Sequence, residues 1–519
     1  MITDNWIELK EYISRFKKIL RINTIISTDV FVSCVLDPSY LHHLIIGKNI
    51  EYYFNILLNT PPVKFKDYNN ENPNNKTVFL KKAHKLIEEL EKNKHHELKK
   101  KKYKKQFGDF FKYERTKSTS KCNKCLDIDP LDFRKVYLDY SATTDLRPEV
   151  KKVLQNFIKN KYGFENPSSN TAQGQYLREL IFEAKQQISS DLFVKPENII
   201  FTGSGSEANN LAIKGMAFRR LQEKGHIITS KVEHASILET MNFLSDIGFE
   251  ITYLDVDKEG LVCPQSVKKN IKKNTFLVSI MAVNNEIGSI NPIKEIGTIC
   301  LEHNICFMVD AIQAFGKMII DPEKSGISLL SFSGHKIYAP KGIGGLYIKE
   351  GLQLTPQIHG GGQEFGLRSG TENISSILAL AKASKLAHNE MAYENNRLKE
   401  LREYFLNMLI QIEPKVIING SISKCISNNL NIGFPKVDSG SLLKNLNKLG
   451  INVSPSSSCS SRKNETSHVL KAIGADTKNY GSIRFSFGLS TTKEDLDYVI
   501  QQLHLIIPLL KKGTTIEAV

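Results

Sequence analysis

"SFSGHKIYAPKGIGGLYI", residues 331–348, places one lysine, Lys336, between a short apolar run and a turn built from Pro340, Gly342, Gly344 and Gly345. LLSFSG (329–334) reads as a buried strand and GGLYI (344–348) as another, with Lys336 on the connection. Further strand-like runs surround this pair: VYLDY (136–140), NIIFTG (198–203), HIITS (226–230), EITYLDV (250–256), TFLVSIMAV (275–283) and CFMVDA (306–311). Helical patterns at 149–160, 174–192, 207–223 and 235–247 fall between several of them. Repeated βα units with nearly continuous apolar strands predict an α/β fold, a mainly parallel sheet covered by helices on both faces. A long helix over 376–412 then leads into a smaller α+β segment ending near 510. The expected organisation is a large domain over 136–375 and a small C-terminal one over 376–519.

A lysine after an apolar strand is ordinarily a surface residue, and its companions change that reading. FTGSGSEANN (201–210) is a strand, a Gly/Ser turn and the start of a helix. Gly203 and Gly205 let main-chain N–H groups approach an anion, the Ser206 hydroxyl can donate, and the helix points its positive end the same way. VDAIQ (309–313) sets Asp310 at the end of a buried strand. That acid is either a satisfied structural carboxylate or the partner of a protonated ring nitrogen. Lysine, phosphate cradle and strand-end acid together are what a pyridoxal 5′-phosphate site requires: an amine for the aldehyde, donors for the phosphate and an anion for the pyridinium.

The first 135 residues have a different character. They carry 27 Lys+Arg against 17 Asp+Glu, leaving 43 against 38 for the rest of a chain whose net charge is +15. Runs such as 40–58 and 78–107 read as helices, joined by an Asn/Pro-rich loop and followed by a thin linker. The region is expected to be a basic helical extension. The cluster KKKKYKK (99–105) could attract an acidic partner, but no aromatics are regularly interleaved with the lysines, so nucleic-acid binding is not expected. No apolar run approaches the roughly 18 residues of a membrane helix. The early acids Asp4, Glu8 and Glu11 argue against a transit peptide. Eight scattered cysteines are no disulfide framework and suit a reducing compartment, the cytoplasm or an organelle matrix. Cys122 and Cys125 form the one CxxC pair, which supplies two ligands of a closed metal site, a redox or sulfur relay, or two ordinary linker thiols.

Residues 136–507 resemble the cysteine desulfurases of the NifS/IscS type, fold-type-I enzymes related to the class-V aminotransferases. Nine blocks carry the resemblance in order: YLDYSATT (137–144), ENPSS (165–169), FTGSGSEANNLAIKG (201–215), EHASI (233–237), VNNEIG (283–288), VDAIQAFGK (309–317), SGHKIYAPKGIGGLY (333–347), GGGQEFGLRSGTEN (360–373) and SIRFSFG (482–488). The resemblance implies that Lys336 binds the cofactor covalently. Gly205, Ser206, Ser333 and His335 would contact its phosphate, with Thr371 supplied by the partner subunit of a homodimer. His234 would stack on the ring and act as acid–base, Asp310 would pair with the ring nitrogen and Gln313 with the phenolic oxygen. Asn285 and Arg484 would hold the substrate carboxylate, with Asn166 a third contact.

The nucleophile is sought in SPSSSCSSRKNETSHVLKAIG (454–474), where Cys459 sits in a Ser-rich stretch without apolar periodicity. Such a stretch reads as a mobile exposed loop, and a thiol there is reactive rather than structural. The stretch also resembles the segment bearing the catalytic cysteine of the NifS/IscS group. The implied reaction takes sulfur from L-cysteine, leaves L-alanine and a persulfide on Cys459, and passes that sulfur to an acceptor or iron–sulfur scaffold protein. A selenocysteine lyase is the neighbouring alternative, and a non-catalytic scaffold the distant one. Three departures from the family pattern stand out: Ser456 replaces a glycine, Thr171 replaces a histidine, and the tail GTTIEAV is unlike that of mitochondrial members.

Overall fold

The computed structural model describes residues 135–160, 163–455 and 467–512. The basic extension, the CxxC pair Cys122/Cys125 and the proposed nucleophile Cys459 lie outside the described residues.

The chain enters through β1 (Val136–Tyr137), α1 (Pro148–Lys159) and α2 (Ala172–Asp191). An alternation follows: β2 (Ile199–Thr202), α3 (Gly205–Phe218), β3 (His226–Ser230), α4 (Ala235–Asp246), β4 (Glu250–Leu254), α5 (Pro264–Asn270), β5 (Thr275–Met281), α6 (Ile293–Glu302), β6 (Cys306–Asp310), β7 (Leu329–Ser333) and β8 (Gly344–Ile348). Strands β2 to β8 make one seven-stranded sheet of order β2-β8-β7-β6-β5-β3-β4, in which β8 alone runs against its neighbours. β2, β3, β6, β7 and β8 are buried over nearly their whole length, as strands covered on both faces must be. One apolar core lies on each side of this sheet.

Helix α7 (Ile374–Ile412) runs 39 residues, from the first core into a third one. Ile377 and Leu380 belong to the core of the large sheet, whereas Phe405 and Leu409 pack with Phe434, Phe485 and Phe487. That third core lies on a four-stranded antiparallel sheet formed by β9 (Ile417–Ile418), β10 (Asn429–Pro435), β12 (Ser454–Pro455) and β13 (Tyr480–Ser486). α8 (Ser439–Lys448), β11 (Ile451–Asn452), α9 (His468–Ala472) and α10 (Lys493–Lys511) complete it.

Two expectations change. VYLDY does not join the large sheet: only Val136–Tyr137 is strand, and it pairs in parallel with Ile451–Asn452. The reason is packing, because Val136 and Leu138 are buried in the core of the small sheet. The helix expected over 207–223 begins earlier and ends earlier, at Gly205 and Phe218. Its start is fixed by Ser204, whose hydroxyl accepts from Glu207 N as an N-cap.

The candidate residues carried by the large sheet fall on one edge. Asp310 ends β6, Ser333 ends β7, the α3 N-terminus follows β2, Glu233 and His234 follow β3, and Asn285 follows β5. This is the carboxyl edge where open α/β sheets bind ligands. β8 starts at the same edge, and only a glycine fits its first position. A Cβ on Gly344 would lie 2.6 Å from the Ser204 carbonyl carbon and 2.9 Å from Gly205 N.

Candidate active site

Lys336 sits on a single 3-10 turn, Gly334–Lys336, immediately after β7. Its Nζ donates to the main-chain carbonyls of Ser141 (2.5 Å) and Ala142 (2.7 Å), so the YLDYSATT segment forms one wall of the site. Gln313 Nε2 donates to the same Ser141 carbonyl at 2.8 Å. The lysine and the amide are thus joined through one acceptor.

Asp310 is buried, and both its oxygens are engaged. Oδ1 accepts from Ile312 N (3.0 Å) and Oδ2 from Asn209 Nδ2 (2.9 Å). Asn209 is fully buried on α3 and steadied by Ser236 Oγ, so the acid is aimed rather than loose. His234 caps α4, and its Nδ1 accepts from Ser236 N (3.1 Å), which leaves the proton of the neutral ring on Nε2. Burial holds the His234 pKa below its ordinary value; Asp310 opposes this and Lys336 adds to it. His335 contacts Thr143 Oγ1 through Nδ1 (3.2 Å), and burial with the nearby Lys336, Lys341 and Lys317 charges brings it down to about 4. Both histidines are therefore neutral near pH 7.

The residues expected to form an anion cradle lie at the start of α3 and the end of β7. The first turn of α3 begins at Gly205 and Ser206, whose N–H groups have no carbonyl one turn back. A Cβ on Gly205 would strike Ile312 Cδ1 at 2.3 Å and crowd Ser333 Cβ at 3.2 Å. Ser333 Oγ is buried without a partner. A buried hydroxyl left idle beside a helix N-terminus is what a phosphate would satisfy. Together with the lysine and the aimed carboxylate, these residues fit pyridoxal 5′-phosphate.

Arg484, on β13, is 1% exposed. Nη1 donates to the Asn285 carbonyl (2.7 Å) and Nη2 pairs with Asp139 Oδ1 (2.5 Å), while Nε is buried and unpartnered. The arginine and Asn285 are thus in contact. Asn166 is exposed and accepts from Ser168 N on its own loop, and Thr371 is exposed on the loop before α7. The Asn166 contact stays within its own loop, and Thr371 stands on a separate segment from Lys336. The Thr371 loop is nonetheless moored to the cradle, since Arg368 pairs with Glu207 in the first turn of α3 (2.8 Å). Thr171, at the position of the family histidine, caps α2 by accepting from Gly174 N.

Several residues escaped the sequence reading. Asn209 lies inside a quoted block, but nothing local announces that it reaches Asp310. Asp139 likewise gives no sign that it meets Arg484. Glu286 is buried, accepts from Ser467 Oγ (2.5 Å), and is pushed up to about 7 by that burial. Ser467 caps α9, and His468 next to it contacts the Glu233 carbonyl. The chain leaving the 456–466 stretch is therefore fastened at the site.

The Aminotransferase class-V family profile matches residues 136–499. A curated cysteine desulfurase, IscS of Dictyoglomus turgidum, is 48% identical over 379 residues, 73% of this chain and 96% of that protein. Among solved structures, a NifS-like protein superposes with a TM-score of 0.68 at 35% identity, covering 73% of this chain and all of the other. A structure described as SspA in complex with cysteine gives 0.60 at 37% identity, covering 68% of this chain and 99% of that one.

Proposed function

The chain belongs to the class-V aminotransferase family and is of the IscS cysteine desulfurase type, and from that membership we propose how its residues remove sulfur from L-cysteine. Lys336 would hold the cofactor, Gly205, Ser206, Ser333 and His335 would bind its phosphate, Asp310 would pair with its ring nitrogen and Gln313 with its ring oxygen. Pyridoxal 5′-phosphate, when bound, supplies an electron sink for the substrate's Cα. The observation that carries this reading is the Lys336 amine at 2.5 Å from the Ser141 carbonyl, on the strand edge shared by Asp310, Ser333 and Gln313.

Arg484 accepts the substrate carboxylate, with Asp139 and the Asn285 carbonyl holding the guanidinium in place. The Lys336 amine takes the Cα proton and returns it later, and the Nε2 proton of His234 is available to the substrate side. Cys459 attacks the substrate sulfur as a thiolate. The carbon–sulfur bond of cysteine breaks as a sulfur–sulfur bond forms, so one cysteine and one thiol give one alanine and one persulfide. That sulfur then passes to an acceptor or iron–sulfur scaffold protein. We place Thr371 in the site of the second subunit of a homodimer. Among the described residues no helix is long and apolar enough to cross a membrane. The scattered cysteines suit a reducing compartment, and on that ground we propose the cytoplasm or an organelle matrix.

The test is incubation with L-cysteine and a reductant, with alanine and sulfide measured together. Equal amounts from the wild type, and neither from Lys336→Ala or Cys459→Ser, are expected. A Cys459→Ser variant that forms sulfide as fast as wild type would remove Cys459 from the role.

A further inference from the structure

Lys317 stands beside the site, and neither the fold nor the mechanism above explains its presence. It follows Gly316, whose positive φ (+73°) turns the chain beneath the Lys336 turn; a Cβ there would meet Ile337 at 2.9 Å and Ala387 at 3.0 Å. Its backbone is held at both ends, its N–H donating to the Ala314 carbonyl and its carbonyl accepting from Asn395 Nδ2 (2.8 Å). Nζ donates to Gln313 Oε1 at 3.2 Å. The groups facing this amine are mostly cationic. Lys336 and Arg484 both oppose its charge, and with burial they bring it down to about 7. Glu390 and Glu394 line the same cavity but are each taken by an arginine, Arg147 (2.7 Å) and Arg397 (2.8 Å). A half-buried lysine facing like charges and without a carboxylate partner is costly, and such groups collect at functional sites.

Its geometry supplies the return. A glutamine amide can turn over, exchanging donor for acceptor, unless its neighbours discriminate between the two ends. At Gln313 they do. The Ser141 carbonyl can only accept, so it takes Nε2, and the lysine donates to Oε1. One N–H of Nε2 then remains to donate to the cofactor. We propose that Lys317 is a positioning residue, which fixes the Gln313 amide so that it presents a donor, and not its oxygen, to the cofactor's ring oxygen. This rests on the cofactor placement proposed above.

The test is an absorbance titration of the holoenzyme without substrate, following the pH at which the visible band of the bound cofactor changes. Loss of a donor to the ring oxygen, and of a neighbouring positive charge, favours the protonated form. Lys317→Met is therefore expected to raise the midpoint by about half a pH unit or more, and Lys317→Arg, which still donates, to restore most of it. Gln313→Leu should raise the midpoint too, and should add little in the Lys317→Met background, because both changes remove one device. A midpoint unchanged in Lys317→Met, or shifts that simply add, would overturn the proposal. Removing a half-buried amine that faces like charges should leave Lys317→Met melting at or above wild type at pH 6, so misfolding is separately visible; should it misfold, the same titration on Lys317→Leu, which likewise cannot donate, decides. A wild type that takes up no cofactor would instead defeat the placement on which the proposal stands, and the proposal with it.

Discussion

Glu233 takes no part in the proposed reaction and stands next to His234, which does. It is fully buried beside His234, with Oε1 accepting from Ser230 Oγ (2.6 Å) and Met281 N (3.1 Å) and Oε2 without a partner. Burial, helped by Asp310, pushes this carboxyl up to about 8 from 4.5. Between those values the folded protein keeps a proton that the unfolded chain has lost. Stability contributed by this group is thus complete below pH 4.5, falls as pH rises, and is fully lost above pH 8. The loss is on the order of 3–5 kcal/mol. Glu233→Gln keeps the shape and drops the titration, so it should melt several degrees above wild type at pH 8.5 and near it at pH 5. Parallel melting profiles in the two proteins would refute the assignment. Ser333 offers a second test. Its idle hydroxyl contributes nothing to the cofactor-free fold, so Ser333→Ala should melt like wild type without cofactor. Cofactor affinity should fall roughly ten- to a hundredfold, the worth of a hydrogen bond to a charged group at about 1.5–3 kcal/mol, as dialysis against graded pyridoxal 5′-phosphate would measure. Lys336, Asp310 and the residues proposed for the cradle could be singled out in the sequence because each sits where a strand ends and its type suits the proposed chemistry. Glu233, Asn209 and Asp139 were not, because a buried polar residue declares itself only through a partner: Asn209 lies 101 residues from Asp310, and Asp139 lies 345 from Arg484.

Among elements, β8 does more than fill the sheet. Within the large sheet it is the strand that runs against its neighbours, and its first residue abuts the turn that opens α3. Gly344→Ala would press a methyl group onto main-chain atoms that cannot rotate aside. It should lower stability by about 1–3 kcal/mol, as overpacking does, and release cofactor more readily, because the displaced atoms belong to the cradle. Retained cofactor with a lower melting point would show that the strand gives way instead of the turn. The large sheet was readable because its strands are long apolar runs broken by turn residues. β1 was not, since two residues have no periodicity and their partner, Ile451–Asn452, lies more than 300 positions away. Caps explain the helix starts that the pattern placed late: periodicity marks where apolar residues recur, whereas Ser204 marks where the hydrogen bonds begin.

At the scale of the molecule, two cores share one helix, and the site draws on both. Lys336 and the cradle stand on the large sheet, Arg484 on the small one. Arg397, midway along α7, joins them. Its guanidinium donates to the carbonyls of Gly488 (2.9 Å), Leu489 (3.3 Å) and Thr491 (2.9 Å), and Leu489 N donates to the hydroxyl of Tyr338 (2.8 Å), two residues past Lys336. Arg397→Ala strands three carbonyls and should cost about 2–4 kcal/mol. Arg397→Lys should recover only part, since an ammonium cannot fork among them. Thermal melts of the two variants would show this, and equal stability of Arg397→Ala and wild type would deny the joint its importance.

β12 pairs Ser454 and Pro455 with Arg484 and Ile483 of β13. The chain that goes on to Cys459 is therefore staked to the strand that carries Arg484, and Cys459 comes four residues after the stake. A fully extended leash of that length spans no more than about 14 Å, while the eight residues back to Ser467 could span about 28 Å. The short leash sets the radius. Under the role proposed for Cys459, every handover of sulfur takes place inside a small sphere centred on Pro455. An acceptor must bring its own receiving atom into that sphere, so it is chosen by how far it can protrude as much as by how tightly it binds.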